Sequence, residues 1–294
     1  MAGQLTRYQE QPRGILGRVK GAMQSWTLKL GGNELEQRLN RIAPPQNEYG
    51  VDPFGFDLDF SKAAIAPVLW LYKKYFRVET HGIEKIPAGR VLLIANHSGQ
   101  LPLDGAMIAM AMLCEADPPR VVRSMVEKWV PTLPFVSTIL ARAGQVVGTP
   151  ENCRRLLAAG EAIQVFPEGV RGLNKTWEHR YQLQEFGLGF MRLALETNTP
   201  IVPVAVVGAE EQAPNLYDLK PLAKLIGFPS FPVTPTGLPI PLPTKYRVFF
   251  GEPMRFAGDA NGEDAELQRK VRQVKDAIQS MLRTGVAQRQ HVFW

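Results

Sequence analysis

The chain is poor in the residues that mark several common classes of protein. Its 294 residues include only two cysteines, Cys114 and Cys153. Two thiols make no disulfide framework, and their spacing fits no zinc motif, so a reduced, cytoplasmic setting is expected. The four histidines, His81, His97, His179 and His291, are scattered, which argues against a zinc site, and no metal is expected. Long apolar runs are missing too. The longest candidate, Ala63 to Tyr72, stops at Lys73-Lys74, short of the roughly 18–20 residues that span a bilayer. The opening MAGQLTRYQEQPRG has no apolar h-region and does not read as a secretory signal. No G-x-S-x-G nucleophile elbow occurs, and Gly187-Leu188-Gly189 is too short for a dinucleotide fingerprint.

What is present is ordinary in amount and uneven in placement. Apolar residues at 45% and charged residues at 21% match globular usage. The 26 glycines and 24 prolines fall below the share expected of disordered or fibrous chains. The length suffices for one large domain or two small ones around a substantial core. Net charge is +6, and the basic excess gathers at the start: Arg7, Arg13, Arg18, Lys20 and Lys29 stand against Glu10. Such a patch suits an anionic partner. Composition alone leaves lipid headgroups, a phosphorylated substrate and nucleic acid open, and no nucleic-acid motif is present.

Ile15, Val19, Ala22 and Trp26 recur at helical spacing with Arg13, Arg18 and Lys20 off the stripe. This predicts a basic amphipathic helix that either anchors at a membrane interface or docks on the protein's own core. A loop with Pro44, Pro45, Asn47 and Gly50 follows. Ile65, Val68, Leu69, Tyr72 and Phe76 then make a second stripe, with Trp70 and Lys73 on its other side. From Arg77 the pattern changes to short apolar strands alternating with helices. Strands are expected at Arg77–Thr80, Val91–Ala95, Val121–Ser124, Gln145–Val147, Ala162–Phe166, Ile201–Val206 and Arg247–Phe250. Helices are expected at Asp104–Leu113, Pro134–Ala143, Glu151–Ala159, Gly189–Glu196 and Glu263–Arg283. The proline-rich stretch 227–243 is expected to be an extended apolar loop. Alternation of this kind gives an α/β fold with a mixed, largely parallel sheet covered by helices. Three regions are expected: an N-terminal helical, membrane-facing segment at 1–76, an α/β domain at 77–260, and a C-terminal helix and tail at 261–294.

Two polar clusters follow apolar strands. Asn96-His97-Ser98-Gly99-Gln100-Leu101-Pro102-Leu103-Asp104 comes after Val91–Ala95, at a carboxyl end of the kind where open α/β sheets place ligands. A carboxylate on one imidazole nitrogen fixes the tautomer and supports the imidazolium formed at the other. His97 and Asp104 therefore suit general-base attack on a hydroxyl, although such a pair is often only structural. Phe166-Pro167-Glu168-Gly169-Val170-Arg171-Gly172 comes after Ala162–Phe166. Its arginine suits a phosphate or carboxylate, with a surface Glu168–Arg171 salt bridge as the plainer reading. Trp177, Tyr181 and Phe186 suit either an acyl channel or ordinary packing.

Together with Pro200-Ile201-Val202-Pro203-Val204, these clusters stand in the order and spacing of the glycerolipid acyltransferases. Over about residues 65–255 the sequence resembles the bacterial 1-acylglycerol-3-phosphate acyltransferases and their lysophospholipid acyltransferase relatives. The resemblance implies a fatty acyl transfer from acyl-CoA or acyl-carrier protein to a hydroxyl of a lysophospholipid or glycerolipid-like acceptor, with no cofactor beyond the co-substrate. It implies His97 as general base with Asp104 as its partner. Glu168, Gly169 and Arg171 would hold the acceptor. Asn96, Ser98 and Gly99 would lie against substrate, with the Ser98–Gly99 and Gly169 backbone N–H groups as oxyanion donors. The setting implied is the cytoplasmic face of a membrane, peripherally bound. A silent lipid-binding scaffold and a thioesterase or lipase are the alternatives. The sequence departs from the family pattern in three places. Six residues rather than four separate His97 from Asp104; the stretch Gly144–Thr149 lacks the usual arginine; and Phe186-Gly187-Leu188-Gly189 lacks the usual lysine.

Overall fold

The computed structural model describes residues 15–42, 47–98, 101–132, 136–173, 175–215, 217–219, 232–234 and 240–294. Arg7, Arg13, Pro44, Pro45, Gly99, Pro134 and most of the stretch 227–243 lie outside the described residues. The strands are β1 (Glu79–His81), β2 (Val91–Ala95), β3 (Val122–Val126), β4 (Val146–Val147), β5 (Ala162–Val165), β6 (Ile201–Val207), β7 (Tyr217–Asp218), β8 (Pro232–Val233) and β9 (Arg247–Phe250). Seven of them form one sheet in the order β1-β9-β6-β2-β5-β3-β4, and β7 pairs with β8 alone. The central strands β6, β2, β5, β3 and β4 are mutually parallel, whereas β9 runs antiparallel to β6 and carries β1 parallel to itself. Every residue of β2 and β6 is buried, as expected of strands covered on both faces, and this is why they read as continuous apolar runs.

The helices are α1 (Ile15–Asn40), α2 (Leu58–Trp70), α3 (Leu103–Cys114), α4 (Val136–Arg142), α5 (Pro150–Ala158), α6 (Val170–Leu173), α7 (Gly189–Thr197), α8 (Ala209–Gln212) and α9 (Asp264–Gln288). One face of the sheet is covered by α2 and α3, whose Leu69, Met107, Ile108 and Ala111 share a core with Leu93, Val202 and Val248. The other is covered by α5, α7 and α9, through Leu156, Leu157, Met191, Val274 and Ile278. Local signals set the ends. Asp57 caps α2 by accepting from Phe60 N at 2.8 Å, a bond of the kind worth about 1 kcal/mol. Thr149 caps α5 with Pro150 at its first position.

Three expectations shift. Arg77 has φ of 46°, a left-handed turn conformation, so the first strand begins later, at Glu79. α9 continues past Arg283 to Gln288, because the missing Cβ at Gly285 lets the helix lie directly against the Phe249 ring. α1 is broken at Gly32, where φ is 66°. Beyond that break Leu35 and Leu39 are buried, whereas Ala22 and Trp26 before it are exposed. Among the described side chains of α1 the apolar ones therefore form no single stripe, and those of Ile15, Arg18, Val19 and Lys20 lie outside the description. In the second stripe Leu69, Tyr72 and Phe76 are buried, and Trp70, Lys73 and Lys74 face outward. The stripe runs from α2 into a π-helical turn at Leu71–Tyr75.

Candidate active site

β2 ends by delivering Asn96, His97 and Ser98 at the carboxyl edge of the sheet. Asn96 is fully buried, and its amide is spent on the next strand: Nδ2 donates to Val206 O at 3.2 Å and Oδ1 accepts from Val206 N at 2.8 Å. It staples β2 to β6. His97 Nδ1 lies 2.8 Å from Asp104 Oδ2, with Asp104 fully buried in the first turn of α3. The same oxygen accepts from Ser98 N at 2.9 Å, and Oδ1 accepts from Gly105 N at 2.8 Å. Two main-chain donors thus fix the carboxylate against Nδ1. The imidazole stacks on Phe166, centroids 4.1 Å apart and planes inclined by 21°. Phe166 follows β5, the neighbour of β2, so both clusters share one sheet edge.

Glu168 is buried beneath this edge. Its Oε1 accepts from His97 N at 2.9 Å and its Oε2 from Gln184 N at 2.7 Å. Both oxygens are committed within the chain, so Glu168 braces the main chain of His97. The Glu168–Arg171 salt bridge considered from the sequence does not form. Arg171 is exposed and donates through Nη2 to Glu185 O at 3.2 Å. The backbone of α6 lies close to the centre, because a Cβ on Gly172 would lie 2.8 Å from His97 Cβ; only glycine lets α6 approach the histidine this closely.

The ion partner of Glu168 is Lys175, a residue the sequence reading passed over. Its Nζ lies 2.8 Å from Glu210 Oε1 and 3.6 Å from Glu168 Oε2, with all three side chains buried. Burial alone would lower the lysine pKa, but the two carboxylates more than offset this and hold it raised. Glu210 is pushed up to about 7 by burial, with Lys175 opposing the shift. Beyond it Glu211 pairs with Arg289 at 2.6 Å and accepts from the Tyr181 hydroxyl. The spacing between Glu168 and Glu210 gave no sign of this cluster, since they meet only through the fold of α6 and α8.

Two of the expected oxyanion donors have partners within the chain. The Ser98 N–H is held by Asp104, and the Gly169 N–H donates to Phe166 O at 3.0 Å. Gly99 lies outside the described residues. Tyr181 and Phe186 are packing residues, the first against Glu211 and the second in the core with Phe190. Trp177 is exposed at 36% with the Arg180 guanidinium 4.4 Å over its ring. The remaining histidines lie apart: His81 stacks on Phe249, His179 contacts Thr176, and His291 sits by Trp294.

Two polar loops thus meet at one parallel sheet edge, one bearing the His97–Asp104 pair and the other the Phe166-Pro167-Glu168-Gly169 turn. A family model described as Acyltransferase matches residues 77–207, which holds both clusters. An uncharacterised protein of Mycobacterium leprae is 41% identical over 298 residues, covering 94% of this chain and 81% of that one. An uncharacterised protein of Mycobacterium tuberculosis is 41% identical over 273 residues, 88% of this chain and 74% of that one. The mouse DGAT1/2-independent enzyme synthesizing storage lipids is 27% identical over 213 residues, 69% of this chain and 59% of the mouse protein. The crystal structure of the 1-acyl-sn-glycerophosphate (LPA) acyltransferase PlsC from Thermotoga maritima has the same fold. Its TM-score is 0.52 at 15% identity, covering 92% of this chain and 98% of that one. The chain belongs to the acyltransferase family.

Proposed function

We propose that the protein moves a fatty acyl group from a thioester, acyl-CoA or acyl-carrier protein, to a hydroxyl of a lysophospholipid or glycerolipid-like acceptor at a membrane surface. The observation that carries this reading is the 2.8 Å contact between His97 Nδ1 and the buried Asp104 carboxylate. His97 Nε2 takes the acceptor hydroxyl proton as that oxygen attacks the thioester carbonyl. The tetrahedral intermediate collapses with loss of the thiolate, which takes the proton back from the imidazolium. Asp104 stabilises that imidazolium and keeps the ring in one orientation. A hydroxyl-bearing lipid as acceptor is supported by the family and by the names of the PlsC and mouse relatives. Incubation with labelled acyl-CoA and a panel of lysolipids, monoacylglycerol and diacylglycerol in mixed vesicles tests the reading. A labelled acyl ester supports it, whereas free fatty acid favours a thioesterase or lipase and no product favours a scaffold.

Arg171, at the rim of the same edge, is the cation assigned to the acceptor. Arg171→Lys keeps the charge but loses the planar fork. The acceptor KM should rise about tenfold with kcat little changed, measured by varying acceptor at saturating donor. Loss of kcat alone would contradict this role.

The N-terminal helices are assigned to the membrane. Among the described residues no helix is long and apolar enough to cross a bilayer. Trp26, Trp70, Lys73 and Lys74 are instead exposed, the mixture of aromatic and basic groups that suits an interface. Binding to anionic vesicles should weaken in Trp26→Ser and in Lys73→Glu/Lys74→Glu, and should fade as salt rises. Flotation assays read this directly. Unchanged flotation by both variants, with no response to salt or lipid charge, would contradict it.

A further inference from the structure

Six residues separate His97 from Asp104, which poses a physical question: what holds the chain between them so that the pair meets? Leu101 lies in that stretch, two residues before α3. Its carbonyl accepts from Leu103 N at 2.7 Å and from Gln212 Nε2 at 3.0 Å. Gln212 comes from the end of α8, 111 residues along the chain. It is fully buried, and its Oε1 accepts from the Tyr246 hydroxyl at 2.6 Å, with Tyr246 also fully buried. The two ends of the Gln212 amide therefore have different partners, an acceptor at Nε2 and a donor at Oε1. A rotation of the amide would set Oε1 against the Leu101 carbonyl and lose that bond, whereas the Tyr246 hydroxyl can accept as well as donate.

The pair is itself anchored. Gln212 O accepts from Leu242 N at 2.6 Å, and Tyr246 N donates to Phe76 O at 3.0 Å. The Tyr246 ring lies against Phe76, centroids 4.6 Å apart, at the end of the N-terminal helical segment. A continuous set of buried contacts thus runs from Phe76 through Tyr246 and Gln212 to the Leu101 carbonyl, where the loop turns into the helix that carries Asp104.

We infer that Gln212 and Tyr246 are positioning residues that hold the Leu101 carbonyl at the entry to α3, so that Asp104 reaches His97 Nδ1. The kinetic part of this inference rests on the proposed role of His97, but the geometric part does not, and the experiment separates them. In protein labelled with 15N-histidine, the imidazole N–H proton shared with Asp104 gives a far-downfield resonance, identified by its loss in His97→Ala. That resonance should be lost or exchange-broadened in Gln212→Met and shifted in Tyr246→Phe, with far-ultraviolet circular dichroism unchanged. In transfer assays kcat should fall about tenfold in Gln212→Met and a few-fold in Tyr246→Phe, with acceptor KM unchanged. If Gln212→Met does not fold, Tyr246→Phe, which removes one oxygen atom, carries the test alone. A wild-type resonance in the folded variants overturns the inference, whatever their activity. A wild-type protein that shows the resonance, loses it in the variants, and transfers no acyl group supports the positioning role while contradicting the proposed function.

Discussion

His97→Ala should lower acyl transfer by roughly 10²–10⁴-fold, the contribution typical of a positioned general base, while leaving the fold in place. The imidazole is 8% exposed, and removing it takes a ring from the face of Phe166 and one hydrogen bond from the buried Asp104 carboxylate. Asp104 keeps its bonds from the Ser98 and Gly105 N–H groups, so the loop retains its own support. Asp104→Asn should cost less in rate, because Nε2 survives and only its orientation and the stabilisation of the imidazolium are lost. Initial rates at saturating acceptor, beside melting curves of the same preparations, check this. Wild-type transfer by His97→Ala would remove the base from the mechanism.

Lys175→Met should be the most damaging substitution for stability. It leaves Glu168 and Glu210 buried without their shared cation, and breaking such a cluster costs about 3–5 kcal/mol, on the order of 10 °C in Tm. The damage reaches the site through Glu168, whose Oε1 holds the His97 N–H. Lys175→Met/Glu210→Gln should recover part of the loss, since the double variant removes one of the stranded carboxylates. The pH dependence has a definite sign. Glu210 is raised from an ordinary 4.5 to about 7, chiefly by burial, so between those values the folded chain binds more protons at this site than the unfolded chain. Its contribution to stability therefore falls as pH rises through that window and levels off above it. Glu210→Gln should remove this slope, as read from Tm across the window. An equally steep slope in the variant would assign the effect to another group.

What the sequence made legible was whatever depends on short range. The apolar runs placed β2, β5 and β6, and each chemically loaded loop followed directly from its strand, so their meeting at one edge was deducible. The His97–Asp104 contact was also within reach, being only seven positions apart. What escaped were jobs assigned by partners far along the chain. Asn96 stood beside the histidine and read as a substrate contact, yet its amide is consumed by Val206, 110 residues away. Glu168 read as the partner of Arg171 three positions on, but α6 carries the arginine outward, whereas Glu168, ahead of that helix, stays buried beside Lys175. Gln212 and Tyr246 carry no local motif at all. The left-handed turn at Arg77 and the passage of α9 through Gly285 likewise depend on what those residues touch across the fold.

The central claim, direct attack by an acceptor oxygen that His97 deprotonates, is tested most directly by an acid-quenched time course with labelled acyl-CoA. Thiol release and protein mass are followed together, with and without a lipid acceptor. Thiol release should be negligible until acceptor is added, and acyl ester should then form one for one with thiol, on protein of unchanged mass. A burst of thiol equal to the enzyme concentration without acceptor, with the acyl group on the protein, would contradict it.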